Sequence, residues 1–288
     1  MRAVFKHELS SYFTNVTGYV FGAFLLLFAG IYTMVFNLKA MYTNFEYVLG
    51  NMSFAFLIIV PILTMRVLSE EKKQKTDQLL YSLPISMTNV VLGKYLALLI
   101  IFLIPVAIIS LYPIILTAFG SVYLPASFGS IIGFFFLGAA LIAIGVFISS
   151  ITESQAVAAG VCFVVMLINY YISAIAAYAS TSAFTSLAAF SIIFVIFAVI
   201  VRLMTKNTLA AIIVGIAPEA ALIAMYMIDA SKFEGLFPTI MEQLSLFDRF
   251  YVFVEGVFDL TGIVYFVTVI GIFLFLAVQS MEKRRWSE

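Results

Sequence analysis

Charge is what this chain has least of. Only 10% of its 288 residues are Asp, Glu, Lys or Arg, against about 25% in ordinary soluble domains. Basic and acidic residues number 15 each, so the formal net charge is zero. Nothing there recommends nucleic acid or another polyanion as a partner. One cysteine, Cys162, lies in an apolar run and excludes an intramolecular disulfide. One histidine, His7, with no Cys/His spacing around it, excludes a structural zinc site. The one Gly-Lys pair, Gly93-Lys94, lacks the upstream glycine and the following hydroxyl of a phosphate-binding loop. The chain therefore has no visible equipment for holding ATP, and no cofactor is expected in it. His7-Glu8 has no second histidine in register for a metalloprotease. No Gly-x-Ser-x-Gly elbow occurs, and no histidine in an apolar run could serve a serine nucleophile.

What is abundant is oil. Hydrophobic residues make up 64% of the chain and its mean hydropathy is +1.15, far beyond the about 45–50% apolar content of soluble domains. The bilayer has to be part of the solvent. A crossing helix needs roughly 20 mostly apolar residues. Such runs fall at about 18–37, 51–68, 90–118, 129–151, 155–178, 184–203, 208–229 and 260–281. The expected fold is an all-α polytopic membrane bundle of about eight spans, six of them secure, in a single domain over 1–288. Residues 184–229 are the irregular part, since Arg202, Lys206 and Asn207 interrupt them only briefly. Residues 1–17 are too polar for a cleavable signal, and the apolar run after them has many successors. With the N-terminus inside, twelve of the 15 Lys and Arg residues fall on the cytoplasmic side and only Lys39, Lys232 and Arg249 outside. That satisfies the positive-inside rule, with both termini cytoplasmic.

Three segments are neither span nor simple loop. In residues 1–16, Val4, Phe5, Leu9, Tyr12, Phe13 and Val16 share one helical face, opposite Arg2, Lys6, Glu8 and Ser10, which describes an interfacial helix. Residues 69–88 are the most charged stretch. Glu70 with Gln74 and Glu71 with Lys75 stand at i,i+4 spacing, favourable for a short exposed helix. Pro84 stops that helix, and Ser86 caps the next span. By composition alone the stretch reads equally as a docking helix or a solvated loop. Residues 239–258 repeat Ile240, Leu244, Phe247, Tyr251, Val254 and Phe258 opposite Glu242, Asp248, Arg249 and Glu255. They read as one amphipathic helix on the outer side, over the translocation path or plugging the bundle.

One acidic residue stands near the middle of a run, Glu219 after Pro218. A charge at a helix centre costs about 2.5–3.5 kcal/mol on insertion scales. Such a group faces an interior or a watery cavity, or else the span is short and Glu219 sits near its end. Gly18/Gly22 and Gly129/Gly133 mark faces where helices approach closely.

At residues 66–94 the pattern becomes specific. Arg66, Ser69-Glu70-Glu71-Lys72, Thr76, Leu79-Leu80, Ser82, Pro84 and Ser86, then Gly93-Lys94, resemble the first cytoplasmic loop of type-2 ABC exporter permeases. The likeness is to the branch linked to gliding motility and multicopper-enzyme maturation. That branch carries Gly before the Thr, where this chain has Lys75. Residues 148–156, then Phe247-Asp248-Arg249-Phe250, Gly256, Asp259, Tyr265-Phe266 and the Glu282–Trp286 tail, are similar to later parts of the same family, in order.

The resemblance implies a permease in a bacterial plasma membrane that pairs with a second copy or a paralogue. It implies partner ATPase subunits, which carry the ATP and Mg, and a coupling segment that docks on them. Glu70, Glu71, Lys72, Thr76, Leu79 and Leu80 are the expected coupling residues, with Glu153 and Gln155 in a second loop. Glu219 and Phe247 are candidates for a substrate path. Membrane lipid is an expected partner, and an extracytoplasmic accessory protein is left open. The rival classes are an ion-coupled carrier, which needs ionisable groups in several spans, and a membrane anchor or assembly factor that does not transport.

Overall fold

A computed structural model describes residues 1–76, 85–205 and 208–287, and every regular element among them is helical. In chain order they are α1 (Arg2–Thr14), α2 (Thr17–Thr33, extended by a π-helical turn Met34–Lys39), α3 (Glu46–Met52), α4 (Phe56–Thr64), α5 (Ser69–Lys73), α6 (Met87–Ile109) and α7 (Leu111–Leu116). Then come α8 (Leu124–Ile151), α9 (Gln155–Tyr178), α10 (Ala183–Thr205), α11 (Thr208–Ile228), α12 (Leu236–Gln243), α13 (Leu246–Val254) and α14 (Leu260–Ser287). Among the described residues six stretches are long and apolar enough to cross a membrane: Thr17–Lys39, Glu46–Lys73, Met87–Leu116, Leu124–Ile151, Gln155–Tyr178 and Leu260–Arg285. The two remaining runs are helical as expected, but their described apolar stretches, Ala183–Ile196 and Gly215–Ile228, are shorter.

The chain divides into two compact units, Met1–Ile168 with Leu246–Glu288, and Asn169–Ser245. In the first, α8 is the axis: 78% of its apolar window is buried, against 17% for the stretch formed by α2 and its extension. Small residues make that possible. A Cβ at Gly138 would collide with Phe102 and Phe56, and one at Gly145 with Thr64. Around this axis Phe56 stacks on Phe134 at 4.5 Å and meets Phe102 edge-on at 5.7 Å, contacts worth about 0.5–1.5 kcal/mol each beyond their buried area. Of the expected glycine pairs, Gly133 admits the Phe253 ring, 2.7 Å from where a Cβ would stand. Gly18 lies under the Tyr12 carbonyl, whereas Gly22 faces open space.

The N-terminal helix forms as its periodicity dictates, with Tyr12 buried and Val4, Phe5, Leu9 and Phe13 partly covered. Val16 lies beyond the helix and is exposed. Ser86 caps α6, its hydroxyl accepting from the Asn89 amide at 3.4 Å. The stretch expected as one amphipathic helix over 239–258 is instead two, α12 and α13, separated at Leu244 and Ser245. Ser245-x-x-Asp248 is a capping-box pattern, which starts a helix rather than continuing one. The buried stripe is also shifted. Leu246, Phe247, Phe250 and Phe253 are enclosed, while Leu244 and Phe258 are exposed.

In the second unit α10 and α11 form a hairpin. Gly235 takes a left-handed φ of +68° ahead of α12, and its amide donates to the Thr181 carbonyl at 2.8 Å.

Candidate functional site

Among the described residues of the first unit, a dense charge constellation gathers at one end, where α1, α5, the start of α6 and the end of α8 meet. Its centre is Lys94, two turns into α6 and only 3% exposed. An ammonium has three protons to place, and all three are placed. Nζ donates to Glu8 Oε2 of α1 at 3.0 Å, to Glu71 Oε1 of α5 at 2.8 Å and to the Val67 carbonyl at 2.9 Å. Gly93 beside it has no side chain, so the α1 backbone lies directly on α6. A Cβ there would stand 3.3 Å from the Met1 carbonyl and the Phe5 amide. The Gly-Lys pair that fails as a phosphate loop is thus a docking point for the N-terminal helix.

Lys72 makes a second internal tie. It is 5% exposed, and its Nζ donates to the Ser150 carbonyl in the last turn of α8. That carbonyl has no acceptor duty inside its own helix, and a cation at a helix C-terminus also suits the macrodipole. The Ser280 hydroxyl of α14 donates to the same carbonyl at 3.0 Å. Ser149 works in the opposite sense. Its hydroxyl accepts from the amides of Leu68 and Ser69, both at 3.1 Å, and so caps α5 from a neighbouring helix.

Glu70 pairs with Arg66 at 3.2 Å and accepts from the Gln74 amide at 3.5 Å, as its i,i+4 spacing suggests. Glu71 departs from its expected i,i+4 mate: it turns inward to Lys94, and Lys75 is exposed. The Arg66 guanidinium also lies over the Tyr12 ring at 5.3 Å and donates to Thr17 at 3.2 Å. The Tyr12 hydroxyl donates to the Leu63 carbonyl at 2.9 Å. Burial, with the Glu8 carboxylate adding to it, pushes that phenol well above its ordinary range, so it stays a donor.

After α5 the chain turns at Lys75, whose φ is +57°. This is the left-handed region that glycine occupies freely and other residues enter at about 1–2 kcal/mol. A lysine is thus held in the conformation that glycine favours. Thr76 closes the turn, its amide donating to the Glu71 carbonyl at 3.0 Å. Leu79 and Leu80 lie outside the described residues, as do Ser82 and Pro84. Among the described residues of 69–76, Lys73, Gln74 and Lys75 are exposed. A polar cavity of about 380 Å³ opens beside them, lined by His7, Glu8, Arg66, Glu70, Glu71 and Lys94 among others.

At the same end, exposed Glu153 receives Arg284 of α14 at 2.7 Å. The hydrogen bond and charge of Arg284 hold its carboxyl below the usual carboxylate range. Gln155, half-buried, opens α9. These contacts bring α1 and the C-terminal part of α14 to one end of the unit, as the even number of spans requires. Phe247 is enclosed in the core of the first unit. Glu219 belongs to the second, where its Oε1 accepts the Ser191 hydroxyl at 2.7 Å.

Two residues escaped sequence reasoning. The positive-inside rule counts Lys94 with the loop cations, although it sits inside an apolar run, the one signal of a buried partner set. Glu46 starts α3, is 3% exposed and accepts Ser127 Oγ at 2.8 Å through Oε1. Its Oε2 has no partner among the described residues. Its place at the edge of an apolar run gave no warning of burial.

The described residues contain no cluster of metal-ligating side chains. No curated protein matches the sequence. Residues 3–284, nearly the whole chain, match the family described as ABC-2 family transporter protein. With six candidate membrane spans and that match, the chain belongs to the ABC-2 transporter family and is an integral membrane permease of an ABC transporter.

Proposed function

We propose that this permease is the membrane half of an ATP-driven exporter, powered by separate ATPase subunits that seat on the segment from Ser69 onward. The observation that carries the reading is the double anchoring of that segment. Lys94 binds it to α1 and α6, and Lys72 with Ser149 binds it to α8. A displacement applied at exposed Lys73, Gln74 and Lys75 is handed to two long apolar helices through two buried ammonium groups. A solvated loop would not need such ties. The chain has no phosphate-binding loop of its own, which supports an external motor holding ATP and Mg. The basic end faces the cytoplasm by the positive-inside rule, in a bacterial plasma membrane, and a second permease copy or paralogue completes the assembly. The cargo class is amphiphilic or peptide-like.

The test uses the full chain co-expressed with a Walker-motif ATPase encoded beside it. Capture of the ATPase, and hydrolysis stimulated by cargo, are expected with the natural sequence. The double variant Lys73→Glu, Lys75→Glu should insert and fold normally yet lose ATPase capture. Retained capture and transport in that variant would defeat the docking assignment. Capture without stimulated hydrolysis would favour an anchor.

A further inference from the structure

The hairpin of α10 and α11 holds a groove of about 580 Å³, within the range of roughly 300–1,000 Å³ typical of small-molecule sites. Its walls are aliphatic, with Val199, Ile212 and Ile216 prominent, and it is punctuated by two charged residues, Glu219 and Arg202. Glu219 Oε1 is served by the Ser191 hydroxyl at 2.7 Å. Its Oε2 is buried and finds no partner among the described residues. Arg202 stands about 16 Å further along α10 than Ser191, at about 1.5 Å of rise per residue. The groove is therefore a long apolar slot with a half-satisfied carboxylate towards one end.

A buried carboxylate oxygen without a donor is unfavourable unless something supplies one. The other polar side chains of the lining are Arg202 and Thr208. Thr208 stands at the start of α11, about 16 Å from Glu219 along the helix at about 1.5 Å per residue, and the described aliphatic wall between them offers neither a donor nor the two or more polar partners a water would need. A ligand whose head is an ammonium and whose body is an alkyl chain meets both requirements. Its N–H groups complete Glu219, and its tail covers the valine and isoleucine wall. A hydroxyl head would donate one neutral hydrogen bond, and a sulfate head would be repelled.

We infer that the α10–α11 groove binds amphiphilic amines, with Glu219 as the counter-ion of the ammonium head. The idea that such a ligand is the exporter's cargo rests on the function proposed above; its binding does not. Binding is accordingly measured on the full chain alone, in phosphatidylcholine nanodiscs, with radiolabelled decylammonium as the probe and empty nanodiscs subtracted. A saturable component is expected, competed by unlabelled decylammonium and poorly by decanol or decyl sulfate. Glu219→Gln should weaken it roughly tenfold or more, the worth of one charge-assisted hydrogen bond. Glu219→Asp, which keeps the charge, should retain the preference for amine over alcohol. Val199→Trp, which fills the slot, should remove the component altogether.

Equal affinity for decanol and decylammonium, indifference to Glu219→Gln, or no saturable component would each overturn the inference. Because no ATPase is present, those results leave the docking assignment standing. Loss of ATPase capture by the Lys73/Lys75 variant likewise leaves the groove untouched.

Discussion

The junction around Lys94 and the groove around Glu219 place charge among apolar helices under opposite rules. At the junction every proton of the ammonium has an acceptor, and the acceptors come from α1, α5 and the turn before α5. In the groove one carboxylate oxygen has a serine and the other has no partner among the described residues. A buried charge with its partners complete behaves as structure, since breaking it strands the remaining members. A buried charge left incomplete is a cost carried by the fold, and completing it is a task for a ligand. Completeness of partners thus separates the tie at Lys94 from half-served Glu219, a state that Glu46 of the first unit shares; what sets Glu219 apart is the apolar groove it lines.

The largest expected effect tests the first half of that contrast. Lys94→Met removes the ammonium that Glu8 and Glu71 share and leaves the two carboxylates facing each other without it. It should lower stability by about 3–5 kcal/mol, the usual loss when one partner of a buried pair is removed. The readout is the apparent unfolding temperature in detergent. The triple change with Glu8→Gln and Glu71→Gln should recover a substantial part of it, because the stranded charges go too. If Lys94→Met alone is harmless, the junction is not a tie.

The second variant tests the other half and should move the opposite way. Glu219→Leu with Ser191→Ala removes an under-satisfied group and its single donor, replacing both with apolar volume. That exchange is nearly neutral to stabilising, and a gain of about 1 kcal/mol is expected from the same thermal measurement. A loss comparable to that of Lys94→Met would erase the distinction between the two regions.

Lys75→Gly sharpens the comparison at the edge of the junction. A lysine at φ +57° carries about 1–2 kcal/mol of steric cost that glycine avoids. Glycine's greater unfolded freedom offsets up to about 1 kcal/mol of the gain. A net increase of up to about 1 kcal/mol should appear in thermal unfolding, with the turn at Thr76 unchanged by hydrogen exchange.

The smallest effect concerns Glu153, exposed and paired with Arg284. Its folded pKa lies below the unfolded one. Its contribution is therefore present above the unfolded value, near 4.5, and lost as pH falls through the folded value. Protection of the amides at the start of α9, taken relative to their intrinsic exchange at each pH, should fall in that acid window and stay flat across neutral pH. Glu153→Gln should remove the acid step.

Much of this architecture could be read from the sequence because lipid-sized apolar runs leave few alternatives to a helix. The Ser86 cap and the buried face of α1 followed from local chemistry, and the loop resemblance pointed to the family that residues 3–284 match. What escaped depends on neighbours distant in sequence. Phe253 is buried because Gly133, on α8, leaves room for its ring, and Val254 reaches within 3.1 Å of where a Gly50 Cβ would stand. No periodicity within 239–258 could report either. Lys94 was opaque for a related reason: a rule that counts cations towards loops says nothing about one whose three acceptors lie in other segments. The groove beside Glu219 needed two helices to exist before the carboxylate could be seen as half served.

The Ser150 carbonyl receives Lys72 from the segment after the second crossing and Ser280 from the final helix. A carbonyl oxygen has two lone pairs, and here both are spoken for by distant stretches of chain. The last turn of α8 is thereby a shared fulcrum: tilting it disturbs the beginning and the end of the molecule together. A stroke delivered near residue 72 should be felt near residue 280 without any signal having to cross the membrane.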